Sequence, residues 1–503
     1  MNLEIYPIMA VMSLLVLVCA CSGKIASWMN MPCLILFLGV GMLAGSEGIG
    51  GIAFDDANVA NLVGSMAMAF ILLSGGFDTD WKQIRPALKR GGLLSSAGVL
   101  LTALFVGVFA YLVLSLAVPE YKLPLSWCLL LGATVSSTDA AAVFSILRSK
   151  SVSLRGGLKP LLEFESGSND PMAAFLTVFL LEIARNETLN GTAAGLAQYA
   201  QIVPMFCMKM VIGVAVGWLA GRAAVRLLDH IDLEFDGLYY VMAIGLGLFA
   251  FSVAELAYGN GFMAVYVTGI VRGNRSFTLH NSIGRFYDGF AWLMQVILFA
   301  MLGLLVFPTQ IWEVKWLGLA VALFLMVVAR PLAVLLCLAK SEYSLKERLF
   351  VSWVGLRGGA PIMLATFPLL ASLPQANLLF HIVFFTVLLS VLLQGATIMP
   401  LARWLHLDAP LASQPRAPLM FEQTHNMDGL TRNFEIISGS PQDGCELAKL
   451  GLPKGALVLL IRREGRFIVP VGSTVIQAAD ELMVIGSENI MEDVARLLDN
   501  RPQ

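Results

Sequence analysis

The stretch Glu165-Ser166-Gly167-Ser168-Asn169-Asp170-Pro171 opens an otherwise apolar run, Met172 to Ile183, that is long enough to enter a bilayer. Two carboxylates, a carboxamide and two hydroxyls at the mouth of a membrane helix are costly, so ionisable groups there are read first as functional. Helical geometry puts Glu165 and Asn169 on one face and turns Asp170 by roughly 100° from Asn169. Pro171 has no N–H, so in a continuing helix the Gly167 carbonyl loses its partner. A free carbonyl beside an unpaired carboxylate is a ligand set for a small hard cation. The plainer reading is a helix capped by Asn169 and Asp170 with Pro171 at its first position. Capping explains neither Glu165 nor the polar residues met elsewhere in the apolar segments.

Working outward, the 503 residues are 57% hydrophobic and only 14% charged, against about 25% charged in an average soluble protein. The chain reads as an α-helical polytopic membrane protein. A net charge of −2 without basic runs gives no support to a nucleic-acid partner. The N-terminus lacks a basic leader, so the first apolar run is expected to stay as a helix. The seven cysteines show neither disulfide nor metal spacing.

Windows near 20 residues give thirteen candidate transmembrane segments. They cover 4–22, 32–45, 59–77, 91–118, 124–147, 166–185, 201–226, 236–257, 260–272, 285–307, 315–339, 350–371 and 377–402. One set of alternate loops is rich in Lys and Arg, from Lys82, Arg85, Lys89 and Arg90 to Lys340, Lys346 and Arg348; the opposite set holds only Lys122, Arg185 and Lys315. This bias places the N-terminus outside and the C-terminus in the cytoplasm. The second and ninth segments are short. The fifth and twelfth are interrupted, by Thr134-Val135-Ser136-Ser137-Thr138-Asp139 and by Gly355-Leu356-Arg357-Gly358-Gly359-Ala360-Pro361. Both pairs stand seven segments apart, the pattern of inverted repeats with a site at the midplane. Segments 1–6 and 8–13 are then the repeats, with the seventh as linker.

Residues 1–405 are thus read as the membrane domain and 406–429 as a linker marked by Pro410, Pro415 and Pro418. Residues 430–503 read as a small cytoplasmic α/β domain. Its expected strands are Phe434–Ile437, Leu457–Ile461, Arg466–Val471 and Glu481–Ile485, with a Glu464-Gly465 turn and a closing helix at Asn489–Leu498.

Within the membrane domain, Thr138 and Asp139 offer a hydroxyl, a carbonyl and a carboxylate from one interruption, which points to a ligand or proton carrier. Arg330 and Arg357 each need an anion if buried. Glu165 is the partner expected for Arg330, while Arg357 is expected to neutralise helix ends or Asp139. With Glu165 tied to arginine, Asp170 is the carboxylate left to titrate. A site that holds either a proton or a cation, never both, is a minimal exchanger. Nothing resembles a nucleophile–base pair or a cofactor site, so neither an enzyme nor a cofactor is expected.

Ser137-Thr138-Asp139, Glu165 to Pro171, Arg330-Pro331 and Gly355 to Pro361 together resemble the monovalent cation:proton antiporter-1 family, in particular its bacterial potassium/proton antiporters of the NhaP type. The likeness runs in order through the first 400 or so residues. It implies the sodium/proton antiporter-like fold, with Asp170 as shared proton and cation site and Thr138, Asp139 and Ser166 helping to coordinate the monovalent cation. Asn169 stands where electrogenic relatives carry a second Asp, which implies electroneutral exchange, and the family's Glu–Arg bridge maps onto Glu165 and Arg330. Ser74 takes the place of an acidic residue found in many relatives. The tail is similar to TrkA-C (RCK-C) domains through Gly472-Ser473-Thr474 and Asp480-Glu481-Leu482, which implies dimerisation and a small regulatory ligand somewhere in 430–503.

The expectation is a homodimer in the bacterial inner membrane, in contact with lipid, exchanging K⁺ or Na⁺ for H⁺ by alternating access in cation, volume and pH homeostasis. The alternatives are a ligand-gated cation channel and a transporter-like membrane sensor, each controlled by the tail. No T-V-G-Y-G-like filter supports a channel, and charges within paired broken helices favour a carrier.

Overall fold

The computed structural model describes residues 5–29, 33–54, 56–117, 123–149, 152–190, 195–275, 277–410, 430–436, 440–463 and 466–498. Most of the expected linker, residues 411–429, lies outside them, as do Ile437 and the Glu464-Gly465 turn. The helices that build the membrane unit are, in chain order, α1 (Ile5–Met29), α2 (Cys33–Ala44), α3 (Ala57–Asp78), α4 (Trp81–Leu114), α5 (Leu125–Thr134), α6 (Ala140–Ser149), α7 (Leu158–Asn190) and α8 (Ala197–His230). They continue as α9 (Asp236–Leu256), α10 (Gly261–Gly273), α11 (His280–Leu304), α12 (Lys315–Cys337), α13 (Leu345–Trp353), α14 (Gly359–Leu370) and α15 (Ala376–Leu405). Among the described residues, seven are long and apolar enough to cross a bilayer: α3, α4, α8, α9, α11, α12 and α15. Of the others, α1 contributes the apolar stretch Ser13–Lys24, α2, α5, α10 and α14 are shorter apolar helices, and α7 is too polar to qualify by composition.

The second and ninth segments are short as helices too, with 12 residues in α2 and 13 in α10. Each is seated on a longer helix of the other half through glycine. A methyl group on Gly41 of α2 would lie 2.1 Å from the Ala300 carbonyl oxygen of α11, and one on Gly303 2.3 Å from that of Leu38. On the other pair, a methyl on Gly269 of α10 would lie 2.5 Å from the Leu73 oxygen of α3, and one on Gly76 2.4 Å from that of Tyr266. Only backbone-to-backbone packing of this kind brings helices so close. The α3–α10 pair is also stitched by Asn274, whose amide donates to the Thr79 carbonyl at 2.8 Å and whose oxygen accepts from the Trp81 N–H at 2.8 Å.

Both expected interruptions are present. Val135–Asp139 separates α5 from α6, and Val354–Gly358 separates α13 from α14. Two further irregularities, single π-turns at Leu94–Gly98 in α4 and Leu325–Ala329 in α12, left no mark in the hydropathy. The helix carrying Glu165 to Pro171 begins at Leu158 and not near residue 166. Leu158, Leu161 and Leu162 bury one face of its first turns, and Lys159 and Glu163 pair across one turn at 3.6 Å. The polar stretch therefore lies well inside a 33-residue helix instead of at its mouth, with Pro171 absorbed within it.

A two-stranded antiparallel sheet joins β1 (Val152–Leu154) to β2 (Asp408–Pro410), so the first residues of the expected linker pair with the membrane unit. Between α2 and α3, Glu47 accepts the Thr309 N–H at 2.8 Å and the Thr309 hydroxyl, and both bonds hold its carboxyl below the usual carboxylate range.

The C-terminal unit is a four-stranded antiparallel sheet, β3 (Leu430–Glu435), β4 (Leu457–Arg463), β5 (Arg466–Ile468) and β6 (Glu481–Gly486), in the order β3-β6-β4-β5. Helix α16 (Glu488–Leu498) packs Met491, Val494 and Leu498 into its core with Ile461, Leu482 and Val484. The first strand starts at Leu430, earlier than expected, because Thr431 and Asn433 register against Ile485 and Met483. Asp480, fully buried, is held by Arg463 through two bonds of 2.9 and 2.7 Å.

Candidate functional site

The two interruptions meet against α7. The Asp139 N–H donates to the Leu356 carbonyl at 2.7 Å, which ties one broken segment to the other. Gly358 lies against the Asp139 side chain so closely that a β-carbon there would sit 2.3 Å from Oδ2. Arg357, 1% exposed, points its guanidinium at the end of α5, where Nη1 donates to the carbonyls of Ser136 and Ser137 at 2.7 and 2.6 Å. Of the two roles expected for Arg357, the hydrogen bonds serve the helix end, since the orphaned carbonyls of a broken helix carry partial negative charge.

Helix α7 supplies the other wall. Ser166 Oγ accepts the Ala140 N–H and donates to the Thr138 carbonyl, both at 3.0 Å, bridging the break in the α5–α6 pair. Asn169 Nδ2 donates to Thr138 Oγ1 at 2.5 Å. Asp170 accepts the hydroxyl of Ser137, a residue quoted in the sequence motif but given no role there. A hydroxyl one turn of broken helix away from Asp139 carried no separate signal, since three hydroxyls precede that aspartate in a row.

Glu165 takes a different path. Its carboxylate is 1% exposed and receives Arg330 Nη2 at 2.5 Å, with the arginine 2% exposed. The pair is shielded from the cavity that holds the aspartates. That cavity, of about 450 Å³, is lined by Asp139 and Asp170 together with Ser137 and Ser166. Asp78, Glu163 and Asp288 join them, giving five carboxylates, and no lysine, arginine or histidine lines it among the described residues. Ser74 is on the cavity wall as well. Thr138 and Asn169 stand behind the lining, bonded to each other. Among the described residues no group of three or more His, Cys, Asp or Glu side chains is disposed to hold a structural metal ion.

Comparison with known proteins agrees with this architecture. The K(+)/H(+) antiporter NhaP of Alkalimonas amylolytica is 37% identical over 97% of this chain and 82% of its own. The K(+)/H(+) antiporter NhaP2 of a Shewanella species (strain MR-4) is 36% identical over 98% and 83%. The sodium proton antiporter MjNhaP1 of Methanocaldococcus jannaschii, solved at pH 8, superposes with a TM-score of 0.65 at 24% identity, over 80% of this chain and 99% of that one, so the fold is the same. Residues 432–499 match the TrkA-C domain. Residues 13–404 match the family described as sodium/hydrogen exchanger, transmembrane, and with that match the chain belongs to this family of membrane transporters.

Proposed function

We propose that the protein exchanges a monovalent cation, K⁺ in preference to Na⁺, for H⁺ across the bacterial inner membrane. The observation that carries this reading is the cavity: Asp139 and Asp170 both line it and no basic side chain does among the described residues, while Glu163 on its wall pairs with Lys159 and the nearby Glu165 with Arg330. A concave site of one sign attracts counter-ions. Two of its carboxylates, on Asp139 and Asp170, lie beside broken-helix backbone, where oxygen ligands for a hard cation are concentrated. Asp170 is the group that carries either proton or cation, with Asp139, Thr138, Ser166 and Asn169 shaping the site around it. Asn169 adds no second titrating acid, which favours electroneutral exchange. The names of the relatives at 36–37% identity favour K⁺.

Alternating access then moves the site between the two faces as one half rocks against the other. Thirteen spans satisfy the loop charges, counting the short and broken helices, with the N-terminus outside and the C-terminal domain in the cytoplasm. A homodimer with a regulatory ligand on the tail completes the reading, and cation, volume and pH homeostasis is its physiological sense. The test is proton flux in proteoliposomes with K⁺, Na⁺ or Li⁺, with and without an imposed voltage. Wild type is expected to show voltage-independent, K⁺-driven flux, and Asp170→Asn none while remaining folded. Cation-driven proton flux retained in Asp170→Asn would sink the mechanism.

A further inference from the structure

Helix α15 carries two polar side chains at the depth of the second interruption, Ser390 at 0% and Gln394 at 1% exposure. They form one directed chain of hydrogen bonds. The Arg357 N–H donates to Ser390 Oγ at 3.1 Å, Ser390 donates to Gln394 Oε1, and Gln394 Nε2 donates to the Trp353 carbonyl at 2.7 Å. Trp353 is the last residue of α13, and Arg357 lies within the break that follows it. The clasp therefore grips the interruption at both ends and satisfies two backbone groups that lipid could not. In the other half, α7 also holds the first interruption, Ser166 bonding the backbone of Thr138 and Ala140 and Asn169 the Thr138 hydroxyl, and α7 and α15 stand seven segments apart.

We propose that Ser390 and Gln394 are positioning residues for the cation site, acting through Arg357; this rests on the exchange reading. The route is short. The clasp fixes the Arg357 backbone, the Arg357 guanidinium fixes the Ser136 and Ser137 carbonyls, and the Leu356 carbonyl holds the Asp139 N–H. Neither side chain lines the cavity, so neither touches the ion. Loosening an outer partner of this kind lowers the affinity of the inner ligands without removing one.

The experiment compares wild type with Ser390→Ala, Gln394→Leu and the hydroxyl-preserving Ser390→Thr. K⁺-dependent proton flux in proteoliposomes is measured alongside K⁺ and Na⁺ binding to the solubilised protein by calorimetry. The first two variants are expected to raise the apparent KM and the Kd about tenfold, with the maximal rate little changed and Ser390→Thr near wild type. Should Gln394→Leu not survive solubilisation, Gln394→Asn, whose amide stops one methylene short, is expected to show the same shift. A purely structural role would lower the yield of folded transporter and leave KM and Kd unchanged, and that result overturns the proposal. Wild-type vesicles without cation-driven flux would refute the exchange reading. Calorimetry then still decides the clasp by the shift in Kd, and a wild type that neither transports nor binds cation overturns both.

Discussion

Replacing Gly358 by alanine places one methyl group against Asp139, a residue of the proposed cation site. The added carbon would lie 2.3 Å from Asp139 Oδ2, 2.8 Å from its Cβ and 2.9 Å from its Cγ, where ordinary contact begins at 3.4 Å. Because Cβ is included, rotation of the carboxylate alone does not relieve the overlap. The whole side chain must retreat by about 1 Å, a displacement that at a reacting centre costs about 100-fold. Its other oxygen is anchored, since Asp139 Oδ1 accepts the Ala142 N–H at 3.0 Å, so retreat also breaks that bond or drags the start of α6. The backbone at Gly358 (φ −99°, ψ −148°) lies outside the left-handed region, which leaves the methyl as the perturbation. Gly358→Ala is expected to raise the apparent KM for K⁺ in proteoliposomes by about 10- to 100-fold. Overpacking should cost about 1–3 kcal/mol of stability, read by thermal unfolding in detergent. Gly289→Ala, a helical glycine with nothing within 4 Å of the added carbon, should behave as wild type. A wild-type KM in folded Gly358→Ala would show that Asp139 does not define the site.

Two further outcomes follow from the ion pair and the tail. Breaking the buried Glu165–Arg330 pair from either side should cost about 3–5 kcal/mol, whereas removing both partners should cost clearly less than the sum. Additive losses in the double-mutant cycle would argue against coupling. Ending the chain after Ala412 keeps β2 paired with β1, and is expected to preserve exchange while altering its response to pH or ligand. A stable, inserted truncation devoid of exchange would make the tail part of the transport machinery.

The two short and two broken segments were legible because each departs from the length or uniformity that a simple span demands. Asp139, Asp170, Glu165 and the two arginines were legible because charge in hydrocarbon is costly wherever it lies. What the chain hid was of another kind. Whether Pro171 starts a helix or sits inside one depends on Leu158, Leu161 and Leu162, which look like loop residues until a partner covers them. Ser390 and Gln394 are unremarkable in an apolar helix, and their role depends on which backbone groups the fold brings within reach. The strand at Asp408–Pro410 depends likewise on residues 152–154, far away along the chain. Short-range pattern carries propensity and charge, whereas hydrogen-bond partners separated by hundreds of residues are fixed only by packing.

The glycine seats have a consequence for synthesis. α3 emerges early, yet the face that carries Gly76 is completed only by α10, and the Trp81–Asn274 bond spans 193 residues. At ordinary translation speeds of about 5–20 residues per second, that face waits on the order of 10–40 s for its partner. α2 waits similarly for α11, its backbone approached through Gly41 and Gly303. During that interval a 12-residue helix, too short to span alone, has α1 of its own half to lean on but not the backbone seat on α11. The two close backbone seats therefore form only after the second half has been made, so the packing of the first half is completed late in synthesis.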